Sequence, residues 1–493
     1  MVVFCQRMDK ETIGSRALAS TGIVGLMSVL QFVVGFLMQM VLARLLAPEV
    51  FGQFAFVLLM QGLLASARTI QAGEFLVYRR GEVKDALSTV FTTDLVLSWL
   101  TTVIVVLFAG PIMAKAQQPG LADALRVSIL VCALAPFSTP IAVFQRDIDF
   151  TATARARVGG LVVGPILKIS LALAGWGIWS LVIGEVGRQA VEVAIVWRIT
   201  PLRPSLSIDW TTLKEALRFS LPLSLNSLLV YYYWKVDDFV VGRQLGMEQL
   251  GYYWLAFRIP EYMMTLRNYF VPVVFATFAR LEEVEDQKLA FCRLTRLSAL
   301  VLFPLALVAL VHGDALITVI FGARWAPATP AFQLLMLTGA LRMCTSYAGD
   351  LFKVSGRTWV FPLTSVVNAG LLTAGVFVLT NLLGITGTAL AVLLMIVLSL
   401  SFTEALLWKW FRLSPSRVLL RPVAALAACT LVGTGLRALA PGMGIAAVAA
   451  DCVLLVGLFC VIVRFVDHEL VSDVEWVLSV RRAGEAKRRA VAL

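Results

Sequence analysis

This chain of 493 residues has little charge: only 15% of it is Asp, Glu, Lys or Arg, where a soluble domain carries roughly 25%. Histidine is scarcer still. His312 and His468 are the two in the chain, too isolated to suggest a catalytic pair or a metal site. Seven cysteines (Cys5, Cys132, Cys292, Cys344, Cys429, Cys452 and Cys460) show no CxxC spacing and read as small buried residues, not as a disulfide framework. No P-loop is present, which excludes ATP hydrolysis by that route. What the chain has in excess is apolar surface, at 59% of residues with a mean hydropathy of +0.86. Disorder is excluded by that content, and the solvent it requires is lipid.

A helix needs about 20 mostly apolar residues to cross ~30 Å of hydrocarbon. The sequence predicts about fourteen such crossings, near 18–40, 51–68, 88–112, 121–144, 158–175, 178–198, 217–238, 251–272, 297–312, 330–348, 359–380, 384–404, 418–437 and 444–464. The polar leader has no cleavage-like site, so the first crossing is expected to remain as an anchor; Met8 is an alternative start to Met1. Counting residues at span ends with the adjoining gaps, 30 Lys and Arg fall in the tails and even-numbered gaps and 5 in the odd-numbered ones. Cytoplasmic loops carry that excess, which places both termini in the cytoplasm. The net charge of +11 is then explained by topology and anionic lipid headgroups, with no nucleic acid required.

The chain also repeats itself. Arg44-Leu-Leu-Ala-Pro-Glu49-Val-Phe-Gly52-Gln-Phe54 after the first span matches Arg243-Gln-Leu-Gly-Met-Glu248-Gln-Leu-Gly251-Tyr-Tyr253 after the seventh, at a constant offset of 199. Six spans separate the copies, so the repeat is parallel. The expected architecture is an all-α membrane protein with two six-helix lobes, 1–198 and 217–404. A cytoplasmic linker at 199–216 joins them, and 405–493 holds two more helices and a basic tail. Lobes related by an axis along the membrane normal are expected to leave a cleft for a substrate.

The segment Val41 to Gly52 resembles the loop after the first helix of polysaccharide and oligosaccharide flippases, the Wzx-type branch of the MOP superfamily. Gln145 to Phe150, Gly175 to Leu181, Val236 to Gly246 with Leu250 to Tyr252, and Phe321 to Trp325 are similar to further segments of that family in the same order. The resemblance covers about residues 15–410. It implies a multi-pass protein of the bacterial inner membrane, without a cofactor, that turns an undecaprenyl-diphosphate-linked oligosaccharide from the cytoplasmic to the periplasmic leaflet. Its implied partners are that lipid-linked sugar, membrane lipids, and polysaccharide polymerase and export machinery. In lipid II flippases of the superfamily, arginines inside the first helix contribute to substrate contact. Here the first span has only Gln31 and Gln39, so that site does not carry over.

Ionisable side chains near a helix centre cost ~2.5–3.5 kcal/mol on insertion scales and normally face protein or a wet cavity. Lys168, Arg188, Arg258, Glu261 and Arg342 sit near mid-span, and four of these five are cations suited to a diphosphate. The competing reading is internal ion pairing. Glu185, Arg188 and Glu192 share one helix face, Arg258 and Glu261 are three apart, and Lys168 and Arg342 have no partner on their own helices. Seven of nine tyrosines lie between 231 and 269. Tyr262, beside Glu261, is a cavity candidate, whereas residues 231–234 and 252–254 are expected to form an aromatic belt at the membrane interface. Gly160 and Gly164 have the small-xxx-small spacing of a packed helix pair.

Two other classes compete. A drug or cation antiporter of the same superfamily relies on acids in its cavity, where this midplane is mainly basic. A membrane-embedded polymerase or glycosyltransferase needs a sizeable outer loop, and the longest expected here, 313–329, holds one acid, Asp314.

Overall fold

The two repeat copies fold alike to the residue. In the computed structural model, α1 (Lys10–Leu45) turns into α2 (Pro48–Arg68), and α9 (Trp210–Gln244) turns into α10 (Met247–Arg280). The two boundaries that flank the turn, Leu45 and Pro48, recur 199 residues later at Gln244 and Met247. The copies also touch reciprocally. A Cβ on Gly52 would sit 1.7 Å from the Met247 carbonyl oxygen, and one on Gly251 would sit 1.9 Å from that of Pro48. Glycine is required at both positions because backbone meets backbone there.

The structure describes residues 10–68, 75–76, 83–146, 150–200, 203–281, 283–439, 444–467, 469 and 473. Cys5, Met8 and His468 lie outside them, as do residues 147–149 of the Gln145 to Phe150 segment. Among the described residues the chain is helical with no strand, and it falls into two compact units, 1–251 and 252–493. Among the described residues, eight helical stretches, one of them the broken run 119–138, are long and apolar enough to cross a bilayer by length and composition. Other expected crossings fall on more highly charged helices such as α8 (Ile178–Ile199), α9 and α10.

In the first unit α7 (Phe150–Leu173) and α8 form a tight pair, α1 packs on α7, and α9 packs on α2. The crossing expected at 121–144 is a series of short pieces: a 3-10 turn, α4 (Ala122–Ser128), α5 (Leu130–Leu134), a second 3-10 turn and α6 (Ile141–Arg146). Pro136 falls in the second turn and Pro140 at its end, where neither can donate to a continuing helix. They follow α3 (Val83–Lys115), whose Trp99, Leu107 and Phe108 are exposed, as a lipid-facing helix requires.

The linker is tied down at both ends of its described part. Ser205 N donates to Ser88 Oγ at 3.1 Å and Asp209 N to Thr89 Oγ1 at 3.0 Å. Asp209 caps α9, accepting from Thr212 N at 2.9 Å and Thr212 Oγ1 at 2.6 Å. Those bonds hold its carboxyl well below the usual range, at about 2. A depressed value means the cap is present above the unfolded carboxyl's titration and is lost as pH falls through about 2. Asp209→Ala is therefore expected to speed amide exchange at Thr212 at neutral pH, whereas Asp209→Asn preserves protection.

In the second unit α11 (Val284–Phe321) is central, packed by α12 (Thr329–Thr345), α15 (Pro415–Leu439) and α16 (Ile445–Val466), with the short α13 (Tyr347–Val354) nearby. Residues 313–321, expected as part of an outer loop, are instead the last turns of α11. A 3-10 turn over Ala323–Ala328 completes the connection. The apolar run simply continues through Ile317 to Phe321, both buried. A 52-residue helical stretch, α14 (Val360–Phe411), would reach about 78 Å if straight. It doubles back at Gly384, whose φ of 62° breaks the helix. Thr380 and Thr388 hydroxyls meet at 2.8 Å, and a Cβ on Gly387 would sit 1.9 Å from the Leu379 carbonyl oxygen. Two antiparallel segments result, matching the spans expected on either side of residues 381–383.

Candidate functional site

Glycines decide where the charges of the first unit lie. A Cβ on Gly184 of α8 would fall 2.2 Å from Lys168 Cγ, one on Gly160 of α7 2.6 Å from Glu192 Cγ, and one on Gly164 3.1 Å from Arg188 Cβ. The two helices are thus close enough for charged stems to run across the partner backbone. Lys168 Nζ donates to Glu185 Oε2 at 2.7 Å, and Arg188 donates to Glu185 Oε1 through Nε at 2.8 Å and Nη2 at 2.6 Å. Arg188 Nη1 reaches Glu192 Oε1 at 2.6 Å. Two cations and two carboxylates balance, with the Phe54 ring centroid 5.7 Å from Lys168 Nζ.

The partner of Lys168 is the residue the sequence did not disclose. Glu185 lies 17 positions away on the next helix, so no periodicity within α7 could report it. Exposure separates the members: the Lys168 side chain is 9% exposed and that of Arg188 30%. Lys168 is thus the enclosed member of the cluster and Arg188 the more accessible one.

In the second unit Trp254, Arg258 and Glu261 form one stripe along α10. The Arg258 guanidinium lies 4.0 Å from the Trp254 ring centroid, and its Nη1 donates to Glu261 Oε2 at 2.7 Å. Tyr262 follows, half-buried. Pro260 has no N–H and so leaves the Ala256 carbonyl without its helical donor. Gly339 of α12 packs on Pro260, where its Cβ would lie 3.2 Å from the proline Cβ. Arg342 lies one turn beyond Gly339 on α12, in the last turn of that helix.

The aromatic belt expected at 231–234 and 252–254 is corrected by burial. Tyr233, Tyr252, Tyr253 and Trp254 are buried in protein, Tyr252 edge-on to Trp325 at 6.0 Å; Tyr232 is the one exposed tyrosine of these. Tyr231 donates to the Leu59 carbonyl at 2.9 Å and fills the space over Gly62, which locks α9 to α2. Beside it, Ser227, Val230, Tyr231 and Trp234 line a hollow of about 300 Å³. The side chain of Tyr269 lies outside the described residues. His312, too isolated in the sequence to suggest a catalytic pair or a metal site, has its Nε2 2.8 Å from Asp451 Oδ2.

Comparison with known proteins gives one family and one fold. The family described as polysaccharide biosynthesis protein matches residues 41–330. The succinoglycan biosynthesis transport protein ExoT of Rhizobium meliloti strain 1021 is 25% identical over 68% of this chain and 67% of its own length. The lipopolysaccharide biosynthesis protein WzxC of Escherichia coli strain K12 is 24% identical over 78% of this chain and 77% of its own. Among solved structures, the lipid II flippase MurJ in an inward closed conformation aligns with a TM-score of 0.70 at 13% identity, covering 90% of this chain and 99% of that one. An inward-facing MATE family multidrug transporter of the MOP superfamily aligns at 0.59 with 16% identity, over 81% and 96%.

Proposed function

The chain belongs to the polysaccharide biosynthesis protein family and has the fold of MOP superfamily transporters, and from that premise we propose that it flips an undecaprenyl-diphosphate-linked oligosaccharide from the cytoplasmic to the periplasmic leaflet of a bacterial inner membrane. The product would feed a surface polysaccharide, with a polymerase and export machinery as downstream partners. Relatives that are transport proteins favour a carrier over an enzyme.

The observation that carries this reading is that Arg188 and Arg258 are both half-buried arginines held by carboxylates of their own helices. An arginine already paired to Glu185 or Glu261 is itself partly desolvated, and a diphosphate oxygen is an acceptor of the same charge-assisted kind as the carboxylate it would replace. Arg188, Arg258 and Arg342 are proposed to contact the diphosphate. Lys168 and Glu261 position them, and Tyr262 offers a ring face and a hydroxyl to sugar. The mechanism is alternating access through a basic chamber, with lobes 1–198 and 217–404 rocking about the linker and both termini in the cytoplasm. Residues 405–493 supply two further helices. Support for paired lobes comes from the repeat, whose turn-flanking helix ends recur at one offset and whose glycines meet reciprocally.

The test is leaflet accessibility of a lipid-linked oligosaccharide in vesicles with and without the purified protein. Arg258→Gln and Arg342→Gln are each expected to slow translocation by about tenfold or more while inserting normally, from the loss of a charge-assisted contact of roughly 1.5–3 kcal/mol. An unchanged rate removes that residue from the mechanism. Drug efflux without glycan translocation by the wild type would instead favour the antiporter class.

A further inference from the structure

α11 leaves helical geometry at His312, where φ is −114° and ψ is 21°. A break of this kind releases carbonyls of the preceding turn. Two of them are recovered by side chains from other helices: Gln333 of α12 donates to the Leu310 oxygen at 2.8 Å, and Arg437 of α15 donates to the Val311 oxygen. Arg437 also pairs with Asp314. His312 itself is fully buried, with Nε2 on Asp451 of α16. The kink is therefore a polar node joining four helices.

The node has unfilled acceptors. His312 Nδ1 and Asp314 Oδ1 are both buried without a hydrogen-bond partner among the described residues. The charged groups bonded into the node are Asp451 from α16, Arg437 from α15 and Asp314 from α11 itself, and α12 brings the neutral Gln333. The elements packed on α11 also carry Arg324 on the 323–328 turn, Arg342 on α12, Arg417 and Arg421 on α15, Arg464 on α16 and the Asp350–Lys353 pair of α13. With a neutral imidazole the node holds two carboxylates against one guanidinium. One added positive charge would balance it, and at the enclosed His312–Asp451 pair, with side chains 0% and 12% exposed, that charge would be less screened than at the more exposed Asp314–Arg437 pair.

We propose that His312, seated on Asp451, is a proton-binding site. A proton from water forms an N–H bond at the empty Nδ1 lone pair, and the resulting imidazolium is neutralised by the node's surplus carboxylate. Imidazole is the side chain whose charge changes near physiological pH. A sodium ion fits the open atoms less well, since hard monovalent cations seek several oxygens and the unfilled atoms include an imidazole nitrogen. Both His312 and Asp451 lie about two turns inside their helix ends, and of the pair it is Asp451 that keeps some exposure, 12% of its side chain. Protonation adds a donor at the kink and changes how α15 and α16 are held on α11. If the chain transports as proposed above, this proton is its coupling ion; the site itself does not depend on that reading.

Two histidines in the chain make the test clean. In full-length protein with isotope-labelled histidine, reconstituted in nanodiscs, NMR of the His468→Gln background reads His312 alone. The expected result is reversible conversion from a single neutral tautomer to imidazolium between about pH 5 and pH 8. In Asp451→Asn the imidazolium fraction at fixed pH is expected to fall by about tenfold, from loss of the adjacent carboxylate. An imidazole that stays neutral across that range overturns the proposal. So does a signal that responds to sodium in place of choline at constant pH. Glycan translocation under an imposed pH gradient is the second readout. Loss of gradient dependence in His312→Gln supports coupling, and an unchanged dependence limits the site to binding. A wild type that binds the proton but moves no glycan undoes the flippase reading and leaves the site standing.

Discussion

Gly52→Leu and Gly251→Leu are each expected to leave almost no folded protein in the membrane. The new Cβ at Gly52 would sit 1.7 Å from Met247 O, 2.7 Å from its carbonyl carbon and 2.8 Å from Gly251 N; at Gly251 it would sit 1.9 Å from Pro48 O. Every one of those atoms is backbone, so no side chain can swing aside, and the N-terminal turns of α2 and α10 must move apart. Overpacking a flexible site costs ~1–3 kcal/mol, and a backbone clash exceeds that against total stabilities of about 5–15 kcal/mol. Even Ala at either position is expected to be costly. Gly435→Ala and Gly457→Ala are the controls: both sites open onto empty space, so Ala is expected to be neutral or to add up to about 1 kcal/mol of helix propensity. Monodisperse yield in detergent is the measurement. Near-wild-type yield of Gly52→Leu would remove the reciprocal contact from the fold.

The second large effect is expected at Glu185. Glu185→Ala strips the partner of a nearly buried lysine and one of two carboxylates on Arg188. Removing one member of a buried ion pair typically costs 3–5 kcal/mol, because the remaining charge is left uncompensated. Thermal unfolding in detergent should therefore show a drop of many degrees. The paired change Lys168→Met with Glu185→Gln removes both charges and leaves Arg188 with Glu192, and most of the stability should return. If the double variant folds and also flips glycan at the wild-type rate, Lys168 is structural alone. Failure of the double variant to recover stability would show that the pair is not a self-contained unit. A folded double variant that no longer translocates glycan would instead place Lys168 in the transport path.

Much of this was legible one helix at a time. The Arg188 pairs with Glu185 and Glu192, and the Arg258–Glu261 pair, follow from spacings of three and four that place side chains on one face. The break in α14 at Gly384 was visible as the end of one apolar run and the start of the next. The close approach of α7 and α8 was signalled by Gly160 and Gly164. Burial of Tyr252, Tyr253 and Trp254 was not legible: an aromatic residue beside a polar turn reads the same whether it faces headgroups or a protein interior. The extension of α11 past His312 was missed for a related reason, since a polar His-Gly-Asp run looks like a loop until neighbouring helices satisfy it.

Composition, apolar runs and the repeat at one offset determined by themselves that this is a helical membrane chain with an internal repeat, because burial in lipid constrains every backbone group and leaves that demand written along the chain. Only the tertiary structure decided that Lys168 answers to Glu185 and His312 to Asp451, 139 residues away. A helix advertises the partners within one turn of itself, but which face of another helix meets it depends on where glycines permit the two backbones to close.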